Sequence, residues 1–293
     1  MKLLISGVGG LLGGVLTRVA KSHGHECLAL NRSFITLSLD ASDKKYIDSC
    51  FDGVDHFIHA AANTDVEGCQ LNPSICYRDN VVLTELLVDM AWKKNVPVTF
   101  ISSTGVYGEH KKSAWCEYDE PKPTTFHHHS KLLGEKKVLD ANRSNLVVRT
   151  GWLFGGERQT MKNFVVRRIQ EAQSTTSGMI FSNHQQHGCP TYADDLAQRI
   201  LHLITLKANG IFNVVNVGSA SRFEYVQEII RIAALNIKVS PIGAGKFKRI
   251  APVSDNEMAL NWRSDILGLS PMKSWQEALA DYMATDCIKE LLR

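Results

Sequence analysis

The sequence predicts an α/β fold: a doubly wound parallel sheet with a smaller C-terminal α/β domain. Short apolar runs alternate with segments of helical periodicity as far as Thr150. A glycine-rich turn joins the first apolar run to the first helical segment, and the alternation changes after Thr150. Strands that alternate with helices pair in parallel through right-handed crossovers, which cover both faces of the sheet.

The strands of this sheet are predicted from short apolar runs. They are Lys2–Ser6, Cys27–Leu30, Asp55–His59, Val98–Ser102 and Leu146–Arg149. Apolar residues at helical spacing predict the helices between them. These helices are Leu11–Lys21, Pro73–Lys94 and Thr125–Asp140.

The second half of the chain is predicted to contribute to both domains. Its expected elements are the helices Met161–Gln173, Phe223–Ala234 and Trp275–Met283 and the strand Ile211–Asn216. We expect a first, nucleotide-binding domain of residues 1–152, completed by about 185–217. Residues 153–184 and 218–293 are expected to form a substrate-binding domain that closes over the carboxyl ends of the strands.

The composition excludes several classes of function. A net charge of +3 without a cluster of Lys and Arg argues against nucleic acid as a partner. No apolar stretch approaches the ~20 residues of a membrane span. The seven cysteines are scattered without a CxxC pair, so neither a metal site nor a disulfide framework is expected. Reduced thiols and the lack of a typical signal-peptide cleavage site favour a cytoplasmic location.

The first strand is followed by a phosphate-binding type of turn, Ser6-Gly7-Val8-Gly9-Gly10-Leu11-Leu12-Gly13. Three glycines, Gly7, Gly10 and Gly13, recur at three-residue spacing. They serve a tight turn, close approach of the backbone to a pyrophosphate and close packing of helix on strand. The helix then presents free N–H groups, including those of Leu11 and Leu12, to the phosphates. A Rossmann-type dinucleotide site is therefore predicted here.

The end of the second strand indicates which cofactor is bound. An acidic residue at this position would bind the ribose hydroxyls of NAD. The chain instead reads Leu30-Asn31-Arg32-Ser33, without a carboxylate. Arg32 suits the 2′-phosphate of NADP(H), which is favoured over NAD(H), and Asn31 and Ser33 are expected beside it. The alternative is that Arg32 is a solvated loop cation.

Four segments resemble those of a known family. They are Ser102-Ser103-Thr104-Gly105-Val106-Tyr107-Gly108, Val148–Gly155, Lys162-Asn163-Phe164 and Gly188–Ala197. The chain is similar to extended short-chain dehydrogenases/reductases, and most similar to dTDP-4-dehydrorhamnose reductases. This resemblance implies an NADPH-dependent reductase of a 4-keto-deoxy sugar carried on a nucleotide. It also implies that the protein forms a dimer. A nucleotide-sugar dehydratase or epimerase on the same scaffold is the related alternative.

The resemblance also implies roles for individual residues. Cofactor contacts are implied for Asp40 (adenine), Ala60, Ala61 and Ala62 (a turn along which the cofactor passes) and Lys131 (nicotinamide ribose). Ser103 corresponds to the residue that hydrogen-bonds the substrate oxygen. Substrate contacts are implied for Thr104 and Trp152, and more weakly for Asn163 and Arg222, whose planar guanidinium suits a phosphate.

The catalytic tyrosine of the superfamily is missing. Its Tyr-x-x-x-Lys signature falls on Phe126-His127-His128-His129-Ser130-Lys131, where His127 stands in the position of the tyrosine. The literal match Tyr107-x-x-x-Lys111 belongs to the preceding turn and is not expected to be catalytic. His128 and His129 point to other faces of the predicted helix, which favours packing or solvent contact over a metal site.

Three interpretations of His127 stand side by side. A histidine four residues before Lys131 shares its helix face and is able to deliver a proton near neutral pH. Alternatively, Ser103 or a bound water activates the carbonyl group. In the third interpretation reductase chemistry is lost, and the chain is an NADP-binding regulatory protein.

The cofactor assignment predicts the effect of Arg32→Asp. Loss of the 2′-phosphate contact, with a new repulsive charge, should weaken NADPH binding more than NADH binding. Titration of the variant and the unaltered chain with both nucleotides measures the two losses. Equal losses for NADPH and NADH would remove the argument from the 2′-phosphate.

Overall fold

A computed structural model describes most of the chain. The described residues are 1–30, 41–157, 163–243, 245 and 249–293. Four residues predicted to bind the cofactor, Asn31, Arg32, Ser33 and Asp40, lie outside them, as does Lys162. Their roles stay predictions from the sequence.

The first half alternates strands with helices. Its elements are β1 (Lys2–Ser6), α1 (Leu11–Ser22), β2 (Glu26–Leu30), α2 (Ala41–Cys50), β3 (His56–His59), α3 (Val66–Leu71), α4 (Pro73–Tyr77), a π-helical turn (Arg78–Val82), α5 (Leu83–Lys93), β4 (Val98–Ser103), a 3-10 turn (Thr104–Tyr107), α6 (Phe126–Ala141) and β5 (Leu146–Thr150).

The second half has shorter strands and six further helices among the described residues. Its elements are β6 (Leu153–Phe154), α7 (Phe164–Ser174), β7 (Met179–Asn183), β8 (His187–Gly188), β9 (Thr191–Tyr192), α8 (Ala193–Thr205), β10 (Gly210–Asn213), β11 (Ala220–Ser221), α9 (Arg222–Ile232), β12 (Lys238–Ile242), β13 (Asn256–Glu257), α10 (Trp262–Ile266), α11 (Trp275–Met283) and α12 (Asp286–Leu292). None of the described helices is long and apolar enough to cross a lipid bilayer.

The central sheet confirms the predicted fold class. Six described strands pair in parallel in the order β2-β1-β3-β4-β5-β10. The strand order reverses at β1, whose neighbours are β2 on one side and β3 on the other. Ligands of open α/β sheets bind beside such a reversal, outside the carboxyl ends of the strands. The glycine turn follows β1 and therefore lies at this position.

Helices bury both faces of the sheet. Leu3 and Ile5 of β1 join a cluster formed with α1 and α8, whereas Leu4 joins the cluster beneath α5 on the opposite face. Successive residues of a strand point to opposite faces, so a strand that is covered on both sides must be apolar throughout. This is why the predicted strands appear as continuous apolar runs.

The second half also builds its own core. Aromatic and aliphatic residues of α7, α9, α11 and α12 form one buried cluster, which Trp152 and Phe154 extend from the end of β5. Two small sheets, β11-β8-β13 and β12-β7, accompany these helices. β10 leaves this region and pairs with β5, so the chain returns to the central sheet after α8.

Several elements differ from the prediction, and two of these differences concern long helical segments. The segment Pro73–Lys94 contains a π-helical turn between α4 and α5. A π-helical turn has about one residue more than an α-helical turn, so it shifts the register of the helix. The segment stays apolar, and its composition therefore gives no sign of the shift. The helix α8 is absent from the prediction, although Leu196, Ile200 and Leu203 recur at helical spacing and are buried. Trp275–Met283 agrees with the prediction at both ends.

A buried ion pair ties α6 to the sheet. The Arg149 guanidinium donates to Glu135 through Nε at 2.9 Å and through Nη2 at 2.6 Å. Ser102 of β4 donates to the same carboxylate at 2.5 Å. Both charged side chains are 2% exposed. The two hydrogen bonds in parallel fix the direction of α6 across β4 and β5.

Replacing Glu135 with Gln should lower the free energy of unfolding by about 3–5 kcal/mol, because it leaves a buried guanidinium without its counter-charge. Urea denaturation at neutral pH measures the loss. The control is Glu85→Gln, which breaks the exposed pair of Glu85 with Lys137 and should cost less than about 1 kcal/mol. Equal losses in the two variants would contradict the anchoring role of Glu135.

Candidate active site

The glycine turn is closely packed where its motif requires glycine. Gly7 has a φ of +76°, and a Cβ on it would lie 2.7 Å from the Ala61 nitrogen. A Cβ on Gly13 would lie 2.1 Å from the Gly7 carbonyl oxygen, and one on Gly10 would lie 3.2 Å from the same oxygen. Gly7 and Gly13 are therefore sterically required, whereas Gly10 leaves slightly more room.

The beginning of α1 fits a bound pyrophosphate. Gly10 precedes the helix, no side chain of a described residue caps its N–H groups, and the first turn contains no acidic residue. Apart from the chain neighbours of Gly9, no described residue has a heavy atom within 4 Å of the place that a Cβ on Gly9 would take. The N–H groups of Leu11 and Leu12 and the helix dipole are thus available to an anion.

A buried hydrogen-bond network supports the turn from below. The Ser6 hydroxyl pairs with His59 Nδ1 at 2.7 Å and accepts from the Ala61 N–H at 3.2 Å. His59 Nε2 pairs with the Thr84 hydroxyl at 3.0 Å. Burial, with the nearby Lys131, lowers the pKa of His59 to about 3. The His59 imidazole is therefore neutral, and it links three parts of the fold: β1, α5 and the turn after β3. This role was not predicted from the sequence.

Helix α6 places His127 and Lys131 four residues apart, and both are buried, at 7% and 5% exposure. Thr125 caps the helix by accepting from the His128 N–H. The Lys131 ammonium lies 4.0 Å from the centroid of the Phe100 ring of β4. Residues four apart on a helix share one face, so this face of α6 is turned toward the sheet.

The Lys131 ammonium is in an unusual electrostatic setting. Burial lowers its pKa to about 7, and the Glu135 carboxylate opposes that shift. Its positive charge therefore decreases as the pH rises through neutrality. Strongly perturbed pKa values of lysine are typical of functional sites.

The end of β4 brings two further predicted residues to this region. Ser103 is partly buried, and its hydroxyl accepts from the Gly105 N–H at 3.2 Å. Thr104 is fully buried against Gly151, where an added Cβ would lie 2.4 Å from the Thr104 hydroxyl oxygen. Ser103 is thus the more accessible of the two. The substrate contact of Thr104 stays a prediction; its hydroxyl oxygen is buried without a hydrogen-bond partner among the described residues.

Tyr107 and Lys111 do not form a catalytic pair. The Tyr107 ring is fully buried and stacks on Trp115 with centroids 5.4 Å apart. Its hydroxyl donates to Asn213 at 2.8 Å, and burial raises its pKa to about 12. Lys111 pairs with Asp119 outside any helix. Tyr107 is a packing residue, as its place in the turn predicts.

The neighbours of His127 take different positions. His128 is buried, and a Cβ on Gly105 would lie 2.2 Å from its imidazole ring. The rings of His127 and His128 have centroids 5.0 Å apart. His129 is exposed and pairs with the Tyr77 hydroxyl at 2.5 Å. His128 therefore packs inward and His129 outward. Among the described residues, no group of three or more His, Cys, Asp or Glu side chains is placed to hold a metal.

Trp152 and Arg222 come together although 70 residues separate them in the sequence. Trp152 has a φ of +44°, and the Arg222 guanidinium carbon lies 3.4 Å from its ring centroid. This contact joins the end of β5 to the beginning of α9. Trp152 and Arg222, both predicted to contact the substrate, therefore contact each other.

The substrate contact of Asn163 stays a prediction, and in this structure the side chain is bound by the protein itself. The side chain is 1% exposed and accepts from the Val166 N–H, which caps α7. Its amide donates to the Gly155 carbonyl oxygen at 3.1 Å and to the Tyr282 hydroxyl at 2.6 Å. All its polar groups bind the protein itself, so Asn163 is a structural residue.

Asn80, which the sequence did not single out, connects two parts of the site. Its amide donates to Ser130 of α6 at 2.9 Å and to the Asn63 carbonyl oxygen at 3.1 Å. It accepts in turn from the Asn63 N–H at 2.7 Å. Asn80 lies in the π-helical turn, whose altered register points it toward α6. Apolar periodicity carries no signal for such a register change.

The glycine turn at the reversal of the sheet, with a buried lysine on α6, defines a Rossmann-type dinucleotide-binding protein. More specifically, the chain belongs to the RmlD substrate binding domain family, whose model matches residues 1–287.

Individual relatives are similar over nearly the full chain. A dTDP-4-dehydrorhamnose reductase of Mycolicibacterium smegmatis is 30% identical over 97% of this chain and 85% of its own. The crystal structure of a dTDP-4-dehydrorhamnose reductase of Clostridium acetobutylicum superposes with a TM-score of 0.88 at 27% identity, over 97% and 98% of the two chains. A Bacillus anthracis dTDP-4-dehydrorhamnose reductase, solved in complex with NADP, has the same fold, with a TM-score of 0.89 at 24% identity over 97% and 99%.

The geometry of the turn predicts opposite outcomes for two neighbouring glycines. Gly13→Ala forces a Cβ against the Gly7 backbone and should cost about 1–3 kcal/mol of unfolding free energy. Gly9→Ala meets open space and should change it by no more than about 0.5 kcal/mol. Denaturant unfolding without nucleotide compares them. A tolerated Gly13→Ala would show that the close approach is not required.

Proposed function

We propose that the protein is an NADPH-dependent reductase of a 4-keto-deoxy sugar carried on a nucleotide. The observation that carries the proposal is that α6 buries His127 and Lys131, with the Lys131 ammonium over the Phe100 ring of β4. Membership of the RmlD substrate binding domain family and full-length relatives named as dTDP-4-dehydrorhamnose reductases support it.

The cofactor would be held by the glycine turn and the small residues that face it. The N–H groups of Leu11 and Leu12 bind the pyrophosphate, while Gly7 and Gly13 let the backbone come close. Ala60 and Ala61 line the opposite wall, with Ala62 following them. NADP(H) is favoured by Arg32 and is the nucleotide bound in the Bacillus anthracis relative.

Reduction of a carbonyl group needs a hydride, which NADPH supplies when bound, and a proton, which the protein supplies. His127 stands in the position of the superfamily's proton donor, and we assign the proton to it. Lys131 is assigned to the nicotinamide ribose and Ser103 to the substrate oxygen. The positive charge of Lys131 also makes protonation of nearby histidine side chains less favourable.

The same proposal covers the organisation of the chain. Residues 1–152, with about 185–217, hold the cofactor, and residues 153–184 and 218–293 hold the nucleotide sugar. The core shared by α7, α9, α11 and α12 supports a separate substrate-binding part. We also propose a cytoplasmic location and a homodimer, which size-exclusion chromatography with light scattering tests.

The reductase assignment is tested by turnover. The purified chain is incubated with NADPH and a panel of dTDP-, UDP- and GDP-linked 4-keto-6-deoxy sugars. Absorbance of reduced nicotinamide and NMR of the product are followed together. Loss of one NADPH for each new C4 hydroxyl supports the reductase. Binding of NADPH and sugar without oxidation would contradict it and favour redox-neutral chemistry or a regulatory protein.

Variants of His127 separate its three interpretations. If His127 donates the proton, His127→Ala should lower kcat by about 10²–10⁴-fold, because that is the usual contribution of general acid catalysis. His127→Tyr should retain activity and extend it to higher pH, since tyrosine keeps its proton to a higher pH than histidine. His129→Ala, on the exposed face, is the control. Full activity of His127→Ala would assign carbonyl activation to Ser103 or water.

A further inference from the structure

One segment of the second half of the chain reaches back to the first half. We call residues 250–254 the strap. Where the strap begins, the N–H groups of Ile250 and Ala251 both donate to Glu67 Oε2, at 2.9 and 3.2 Å. Glu67 lies in the first turn of α3, 183 residues before Ile250. This contact therefore joins parts of the chain that the sequence assigns to different domains.

The strap borders the site at the carboxyl ends of β3 and β4. Glu67 lies on the helix that follows β3, and Gly108 follows the 3-10 turn at the end of β4. Where the strap ends, the Ser254 hydroxyl donates to the Gly108 carbonyl oxygen at 2.7 Å. Because β3 and β4 are adjacent and parallel, both attachments lie at the edge of the sheet where ligands bind. The strap therefore runs along the edge that also carries Ser103.

The end of the strap is firmly attached to the loop of residues 108–115. Ser254 is fully buried, and the Asn256 amide donates to two carbonyl oxygens of this loop at 2.7 and 3.0 Å. Trp115 Nε1 donates to the Asn256 carbonyl oxygen at 3.0 Å, and the Trp115 carbonyl oxygen accepts from the Leu260 N–H at 2.8 Å. Several hydrogen bonds among buried residues thus fix this end of the strap.

The beginning of the strap is held more loosely. The Ile250 side chain is 61% exposed and Glu67 is only partly buried, so water reaches the contact between them. Backbone hydrogen bonds that water reaches belong to the least stable parts of a protein and open without global unfolding. We therefore expect the bonds to Glu67 to break while the attachment at Ser254 stays intact.

The strap is short and stiff between its two attachments. The Val253 N–H donates to the Ala251 carbonyl oxygen at 2.8 Å, which closes a three-residue turn around Pro252. Proline fixes its own φ at about −65°, which suits this turn and limits the number of open conformations. When Ile250 and Ala251 leave Glu67, the strap is therefore expected to swing as a unit about Ser254.

We propose that Glu67 is a positioning residue that holds the strap closed along the site and so retains the nucleotide sugar; this inference rests on the proposed function. Release of Ile250 and Ala251 opens the border between the two predicted domains, where the ligand enters and leaves. Glu67 acts through the strap alone and takes no part in the transfer of hydride or proton.

A partly exposed carboxylate suits this task. A hydrogen bond to an ionised acceptor is about twice as strong as one between neutral groups, and Glu67 accepts two of them. Exposure keeps release easy, because water hydrates the freed carboxylate and N–H groups. Glutamine keeps an acceptor oxygen without the charge, so Glu67→Gln should hold the strap less firmly than glutamate and more firmly than alanine.

Amide hydrogen exchange of the full chain without ligand, followed residue by residue by NMR, measures closure of the strap. Glu67→Ala should speed exchange at Ile250 and Ala251 by about 10-fold or more, because both N–H groups lose a charged acceptor. Glu67→Gln should give a smaller increase. The Leu260 N–H, bound to Trp115, is the internal reference and should not change. Unchanged exchange at Ile250 and Ala251, or an equal increase at Leu260, would overturn the role of Glu67.

Retention of the ligand is measured by stopped-flow dissociation of dTDP-glucose from the chain saturated with NADP. Glu67→Ala should raise the dissociation rate constant about 10-fold, and the KM of the keto sugar to a similar extent, with kcat nearly unchanged. The control is Glu120→Ala, which removes an exposed carboxylate paired with Lys122 and should change neither constant. A lower kcat with unchanged dissociation is the sign of a merely structural defect and counts against the positioning role.

The two measurements separate failure of this inference from failure of the proposed function. Amide exchange needs no ligand, so a chain that binds no dTDP-glucose still shows whether Glu67 holds the strap. In that case the nucleotide of the proposed function is wrong, and exchange alone decides the role of Glu67. Faster exchange at Ile250 and Ala251 with unchanged dissociation of bound dTDP-glucose would show that the strap does not retain the nucleotide sugar.

Discussion

The position of α6 on the sheet depends on the buried contact between Glu135 and Arg149. This pair, with Ser102, joins one helix to two adjacent strands through charge-assisted hydrogen bonds. Lys131 lies about one turn and His127 about two turns before Glu135 on the same helix. The position of the helix that carries them therefore follows from an anchor that has no part in the proposed chemistry.

The segment Lys131-Leu-Leu-Gly134-Glu135 lets α6 pack closely on the sheet next to this anchor. A Cβ on Gly134 would lie 2.8 Å from the Phe100 ring, so glycine lets the helix approach β4 closely. Close approach brings the Lys131 ammonium to 4.0 Å from that ring and buries it. Burial in turn lowers the lysine pKa to about 7.

The proposed site has two halves of different origin. The cofactor half is built from backbone: a glycine turn, the beginning of α1 and the small residues that follow β3. The substrate half is built from side chains that arrive from distant parts of the chain, such as Trp152 and Arg222.

By itself, the sequence determined the fold class, the glycine turn, the strands of the central sheet and the helix that carries His127 and Lys131. Those features follow from local rules: apolar periodicity, the steric needs of a tight turn and four-residue spacing on a helix. Only the tertiary structure decided that Asn163 caps a helix, that Asn80 enters the site through a π-helical turn, and that Arg222 stacks on Trp152. Partners far apart in sequence set each of these roles, so no local pattern encodes them.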